Sequence, residues 1–358
     1  MKFKKLEKSQ NIKENVIRPF VFTRPSVSEV CIKIFILLFL QFLCLIFTKS
    51  FSAVFVILVS TFGAVCATVL NYFIRKEPVY NYFTIILQGI ITGMLLPQSF
   101  PLVPVFFISF LTLFLSRTFI FKNVNSWVNE SAFAVIVAWF IGNTFFPSFM
   151  ITPDLIFMKN PSEVLIQSGN FPVYHLDHII IDFLNNSIFG ALNISVPEGF
   201  ISLLWDTNSI VPAFRFNILT IFASIILFSD DSFSILIPSI FLFTYGILVR
   251  FFGPMVYGGQ FNQGDILLAM LTGGTLFFSV FMIQWWGTTP VSVFGKIIFA
   301  LITGALAFGI MGCGTSPVGM VYTVLISNIV NISIRHFEER KTNILLEKLA
   351  LKTSKKIV

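Results

Sequence analysis

The stretch from Gly264 to Arg335 constrains this chain most. Three apolar segments follow one another there. Each is about as long as the ~20 residues a helix needs to cross a bilayer core. They carry small residues where a membrane helix normally carries bulk: Thr272-Gly273-Gly274-Thr275, then Gly304 and Gly309, then Gly312-Cys313-Gly314 ahead of Pro317 and Gly319. Glycine pairs and prolines at membrane depth break helices or let backbones approach closely. Lipid tolerates this only where the freed N–H and C=O groups face protein or a cavity. The stretch is therefore membrane-embedded, with the materials for a polar site inside the membrane.

Composition agrees. Of 358 residues, 56% are hydrophobic and only 11% charged. Mean hydropathy is +0.87, and soluble domains carry about 25% charged residues. The class is an all-α integral membrane protein whose solvent is the lipid bilayer. A net charge of +7 does not imply nucleic acid, because the basic residues gather in the two ends of the chain, where they set orientation. Cys31, Cys44, Cys66 and Cys313 fall in apolar segments without C-x-x-C spacing, so neither a disulfide framework nor a zinc site is expected. The first 20 residues are polar for too long to be a signal peptide, so uncleaved insertion is expected.

Apolar segments lie at about 30–48, 51–73, 83–97, 102–121 and 132–149, then at about 213–228, 232–252, 266–284, 294–312 and 317–334. This divides the chain into a basic lead (1–29), a first five-helix set (30–149), a polar external region (150–210), a second five-helix set (211–334) and a charged tail (335–358). Ten spans put both ends on one side. Lead and tail are rich in Lys and Arg, whereas 150–210 has Lys159 alone against six acids. By the positive-inside rule both termini are cytoplasmic and 150–210 is external.

The halves echo each other. The third segment of each carries Thr-Gly at its middle, Thr92-Gly93 in one and Thr272-Gly273 in the other. An odd number of spans per half makes the two insert in opposite orientations. The expected architecture is two inverted five-helix repeats with interrupted helices and a site between them.

The order of these features resembles the NqrB/RnfD family, the membrane component shared by the Rnf electron-transport complex and the sodium-pumping NADH:quinone reductase Nqr. Arg18-Pro19-Phe20-Val21-Phe22 is similar to that family's Ser-Pro-aromatic lead-in. Leu87 to Pro97 resembles its Leu-Leu-Thr-Gly-Leu-Leu-Leu stretch, and Asn123 to Ala132 its Asn-Pro-Phe-Asn-Pro-Ala loop with both prolines lost. Asp265 with Leu271-Thr272-Gly273-Gly274-Thr275 resembles its Asp-x-x-x-His-Leu-Leu-Ser-Gly-Gly-Thr signature. Gly295 to Ala300, Gly304, Ser316 to Tyr322 and Asn328 follow its last two spans.

Two departures matter. The family's external motif carries a threonine esterified to FMN; the counterpart Asn186-Ser187-Ile188-Phe189-Gly190-Ala191-Leu192 ends in leucine. Leu192 has no hydroxyl, so covalent FMN is expected to be absent. Where the family has Thr-Asp-Pro after the eighth segment, this chain has Gln284-Trp285-Trp286, and a carboxylate is lost.

The resemblance implies a membrane subunit of an ion-translocating electron-transport complex, with other membrane subunits and Na+ or H+ as partners. The same scaffold without its covalent flavin also admits a stand-alone channel or carrier for a small solute or flavin. Candidate site residues are Asp265, Thr272, Gly273, Gly274 and Thr275, with Gly89, Thr92 and Gly93 opposite. They would hold a noncovalent flavin (FMN or riboflavin) or line an ion path, or simply pack helices closely. Asn125, Asn129 and Glu130 precede the fifth segment, as caps or as a cofactor-facing loop, and Glu130 is a candidate for ion coupling. His175, Asp177, His178 and Asp182 have metal-like spacing, but exposed loop histidines are common, and no metal is assigned. No catalytic residue is expected.

Overall fold

The computed structural model describes residues 25–75, 80–116, 118, 127–147, 173–190, 195–230, 232–256, 260–313, 316 and 318–357. The described residues are helical, with no strand among them. Asn125 and Leu192 lie outside them.

The first half holds α1 (Val27–Phe47), α2 (Phe51–Arg75), α3 (Tyr80–Leu95), α4 (Leu102–Leu115) and α5 (Glu130–Phe145). The region after it is not all loop. It contains α6 (His175–Leu184), a π turn Asn185–Phe189 and α7 (Phe200–Trp205). The second half holds α8 (Asn217–Ser229), α9 (Leu236–Val256), α10 (Ile266–Thr272), α11 (Thr275–Phe277) running into a π turn to Met282, α12 (Val293–Met311) and α13 (Gly319–Ile357). Every expected apolar segment has a helical counterpart, with the eighth split between α10 and α11. Among the described residues, α1, α2, α9 and α12 are long and apolar enough to cross a membrane. The remaining apolar helices are shorter.

The polarity is that of a chain in lipid. Large apolar side chains stand on the outside, Phe47 at 82%, Phe73 at 72% and Phe140 at 73% exposed, while Gln41, Ser60, Gln88, Thr92, Asn129 and Asn328 are buried. Water would penalise the first set, and hydrocarbon would penalise the second if it faced outward.

Local sequence sets the ends. Ser26, Asn129, Asp265 and Ser292 cap α1, α5, α10 and α12 by accepting from backbone N–H groups. Gly274 breaks the eighth segment with φ +69. α13 departs from expectation: the charged tail does not separate from the tenth segment but continues it as one 39-residue helix. At 1.5 Å per residue that is roughly 58 Å, longer than the ~30 Å thickness of a bilayer core.

Packing fixes the halves. α2 lies against α3 and α4, and α9 lies against α12, which lies against α13. Across the halves α1 packs on α8 and α5 on α13. Glycines permit the closest approaches. A Cβ on Gly89 would sit 2.3 Å from the Ala64 Cβ, and one on Gly93 2.7 Å from the Ile57 Cα. The Ser60 hydroxyl donates to the Gly89 carbonyl at 2.7 Å across this contact.

Candidate functional site

The polar groups buried between the halves converge on the start of α5. The Asn129 side-chain oxygen accepts from Ser131 N at 3.1 Å and Ala132 N at 3.3 Å, and its Nδ2 donates to the Met282 carbonyl at 3.1 Å in the other half. The Gln88 side chain of α3 accepts from Ser131 N at 2.8 Å. With its amide turned to suit its neighbours, Asn328 of α13 accepts from Asn129 N at 2.9 Å and donates to the Val324 carbonyl. Glu130, the first residue of α5, is 1% exposed, and Asn331, one turn from Asn328, is equally buried. Four elements thus supply one buried polar layer: α3, the start of α5, the end of the α11 π turn, and α13. Amides in lipid are costly unless paired; Asn129 pairs with Met282 and Asn328 across the two halves, and Gln88 with Ser131 within the first. Of the residues expected from sequence, Asn129 and Glu130 lie in this layer. Gln88 and Asn331 were missed as site residues, although a lone amide in an apolar helix is the signal that marks them.

The other expected residues fall elsewhere. Asp265 is exposed and caps α10 by accepting from Leu268 N at 2.9 Å, whereas Thr272 ends the same helix, about 10 Å away at 1.5 Å per residue. The structure therefore does not bring Asp265 together with Thr272. Thr272 donates to the Leu268 carbonyl and Thr92 to the Gln88 carbonyl, each at 2.7 Å, so both hydroxyls are engaged by their own helices. Thr275 makes a long 3.5 Å contact to the Ala269 carbonyl. The Phe214 ring covers Gly274, and a Cβ there would lie 2.2 Å from it. Gly273 and Gly274 are buried with it. Gly89 and Gly93 serve the α2–α3 contact. A flavin ring laid on the Gly274 backbone would have to displace Phe214, so these residues do not fit one as they stand.

Two further clusters lie in and beside the polar region. Asp206 and Arg215, each 4% exposed, form a buried ion pair with the Arg215 Nε 2.8 Å from the Asp206 carboxylate. Arg215 also reaches Ser50, between α1 and α2. Asp177 turns inward and accepts from Gly199 N and from the backbone and hydroxyl of Ser202, closing the start of α7. His178 faces outward between Glu198, 2.6 Å from Nδ1, and Asp182, 3.4 Å from Nε2. The three could offer ligand atoms within 4.8 Å of one another, but both ring nitrogens are already engaged by carboxylates. Sequence reasoning missed Glu198 because it lies 20 residues away and only the fold brings it in.

Residues 15–343 match the NQR2, RnfD, RnfE family. The chain belongs to this family. Similar relatives include the D component of the proton-translocating ferredoxin:NAD(+) oxidoreductase complex of Clostridium ljungdahlii, 37% identical over 103 residues. Another is the D component of the Na(+)-translocating ferredoxin:NAD(+) oxidoreductase complex of Acetobacterium woodii, 28% identical over 105 residues. Each match covers 29% of this chain and 30% of the relative.

Proposed function

We propose that this family member is an integral subunit of an Rnf- or Nqr-like complex that couples electron transfer to Na+ or H+ movement across a bacterial cytoplasmic membrane. The observation that carries the reading is the buried polar layer, contributed by both halves and centred on Asn129. We read the halves as inverted repeats. The first helix of one packs on the first of the other, α1 on α8, and the fifth on the fifth, α5 on α13. The second packs on the fourth in both, α2 on α4 and α9 on α12. A two-fold axis in the membrane plane produces this pattern of equivalent pairs. Lys33 near the start of α1 meets Asp230 at the end of α8, and Gln41 meets Thr220, so that pair runs antiparallel, as inverted equivalents must.

Glu130, Gln88, Asn129 and Asn328 are the residues we assign to the ion path. A buried carboxyl at membrane depth is where a proton or cation can be taken up and released. The test is Glu130→Gln in the assembled complex, reading ion uptake into inverted vesicles beside electron-transfer rate. Uptake should fall more than electron transfer does. Unchanged uptake removes Glu130 from the path.

Leu192 carries no group that could form a phosphoester, so no step is routed through covalent FMN. Ultraviolet illumination of the denatured protein should give no flavin fluorescence. A noncovalent FMN or riboflavin is read from the visible absorbance of the native protein. The second reading is a carrier acting alone. Leu192 and Trp285, standing where the family has a hydroxyl and a carboxylate, favour it. Purification from membranes decides between the two: companion subunits travel with the protein in the first case and not in the second.

A further inference from the structure

A cavity of about 420 Å³ opens where α9 begins and the eighth segment ends, lined by Ser232, Phe233, Gln284, Trp285, Trp286 and Lys296 among others. It lies on the side of the molecule where the Lys33–Asp230 pair sits. Three of its polar residues carry a donor with no partner among the described residues. The Gln284 carbonyl oxygen accepts from Ser234 N at 2.9 Å, which fixes the amide. The end left over is the NH2, which has no partner although the side chain is only 5% exposed. The Ser232 hydroxyl is likewise unpartnered. Lys296 is half-buried and makes no ion pair or hydrogen bond among the described residues. Three residues that carry donors, one of them cationic, thus line a single cavity.

Among the described residues, the neighbouring acids do not neutralise Lys296. Glu338 accepts from Val291 N and from the backbone and hydroxyl of Ser292, so both its oxygens are engaged at the start of α12. Asp230 is paired with Lys33. Lys296 also stands near the N-terminus of α12, the end where the helix dipole disfavours a cation. An anion in the cavity would satisfy all three donors and offset that position. Part of the wall is aromatic. The Trp285 and Trp286 rings are 4.5 Å apart, and Phe233 lies 6.4 Å from Trp286. Paired tryptophans belong at a membrane–water boundary.

We propose that this cavity is a binding site for a phosphate ester, with Lys296, the Gln284 amide and the Ser232 hydroxyl holding the phosphate oxygens and the aromatic wall taking the attached organic group. The ester comes from a phospholipid headgroup or from a soluble phosphate. Native mass spectrometry of the purified full chain separates the sources with three probes: dioctanoyl phosphatidylglycerol, glycerol 3-phosphate and dioctanoylglycerol. Binding of phosphatidylglycerol alone assigns a lipid headgroup, and binding of both phosphates assigns the phosphate itself. Lys296→Met should weaken that binding at least tenfold and Lys296→Arg should restore most of it, while Lys348→Met, on the exposed tail, should leave it unchanged. A thermal midpoint for each variant shows that the chain is folded. The proposal is overturned if neither phosphate binds, if dioctanoylglycerol binds as well as its phosphorylated counterpart, or if Lys296→Met and Lys348→Met behave alike. The assay needs neither electron donor nor companion subunits, so its result is independent of the ion-coupling role proposed above.

Discussion

Two glycines at membrane depth have opposite prospects. Gly274 has φ +69 and the Phe214 ring against the place a Cβ would occupy, whereas Gly309 sits within α12 with nothing within 4 Å of that place. Gly274→Ala combines backbone strain with overpacking and should cost about 2–4 kcal/mol. Gly309→Ala only removes chain entropy and should stabilise by about 0.5–1 kcal/mol. Thermal unfolding in one detergent compares them, and equal effects would show that the Phe214 contact does not matter. His178 gives a pH prediction. Its hydrogen bond to Glu198, and then the charge of Asp182, hold its pKa above the ordinary 6.5. A raised folded value means that the link between α6 and Glu198 is complete below pH 6.5 and is lost as pH rises through the raised value. Hydrogen exchange in 175–205 should therefore quicken on the alkaline side. The NMR midpoint of His178 should drop toward 6.5 in Glu198→Gln.

At the scale of elements, the segment between α7 and α8 is clamped rather than loose. Asp206 and Arg215 bury a charge pair, Thr207 donates to the Phe214 carbonyl, and Gln98 N at the end of α3 donates to the Ile210 carbonyl. Asp206→Asn leaves the guanidinium buried with less compensation and should cost about 3–5 kcal/mol. Replacing both with Met should cost less than that single change, and an equal loss would mean that the pair itself is the stabilising unit. This clamp also shows which features a sequence displays. The helices were legible because lipid demands long apolar runs, and the break at Gly273-Gly274 was legible because two adjacent glycines seldom serve a helix. Asn129 was readable as a cap from its place before an apolar run. Phe214 over Gly274, Glu198 beside His178 and Arg215 beside Asp206 were not, since each pairing depends on where a turn sends the chain. The grouping of Asp265 with Thr272 failed for a related reason: a shared motif ignores that α10 holds its two ends apart. The tail was set apart by its charge, yet its residues are good helix formers that prolong α13 past Arg335.

For the whole molecule, the decisive quantity is orientation. If the halves are inverted repeats, α1 and α8 must run in opposite directions, and the polar layer at Asn129 must lie toward the face that holds both chain ends. The antiparallel contacts Lys33–Asp230 and Gln41–Thr220 support this. The excess of basic residues in lead and tail predicts which face is cytoplasmic. On that reading two exposed lysines lie on opposite faces: Lys49 in the turn between α1 and α2, and Lys348 near the end of α13. In a chain with Cys31, Cys44, Cys66 and Cys313 replaced, Lys49→Cys should react with a membrane-impermeant thiol reagent in intact cells, and Lys348→Cys only after permeabilisation. Inverted vesicles should reverse the pattern. If both positions label from the same side, the antiparallel halves lose their shared membrane plane. The polar layer between α3, α5, α11 and α13 would then be a packing seam rather than a route from one face to the other.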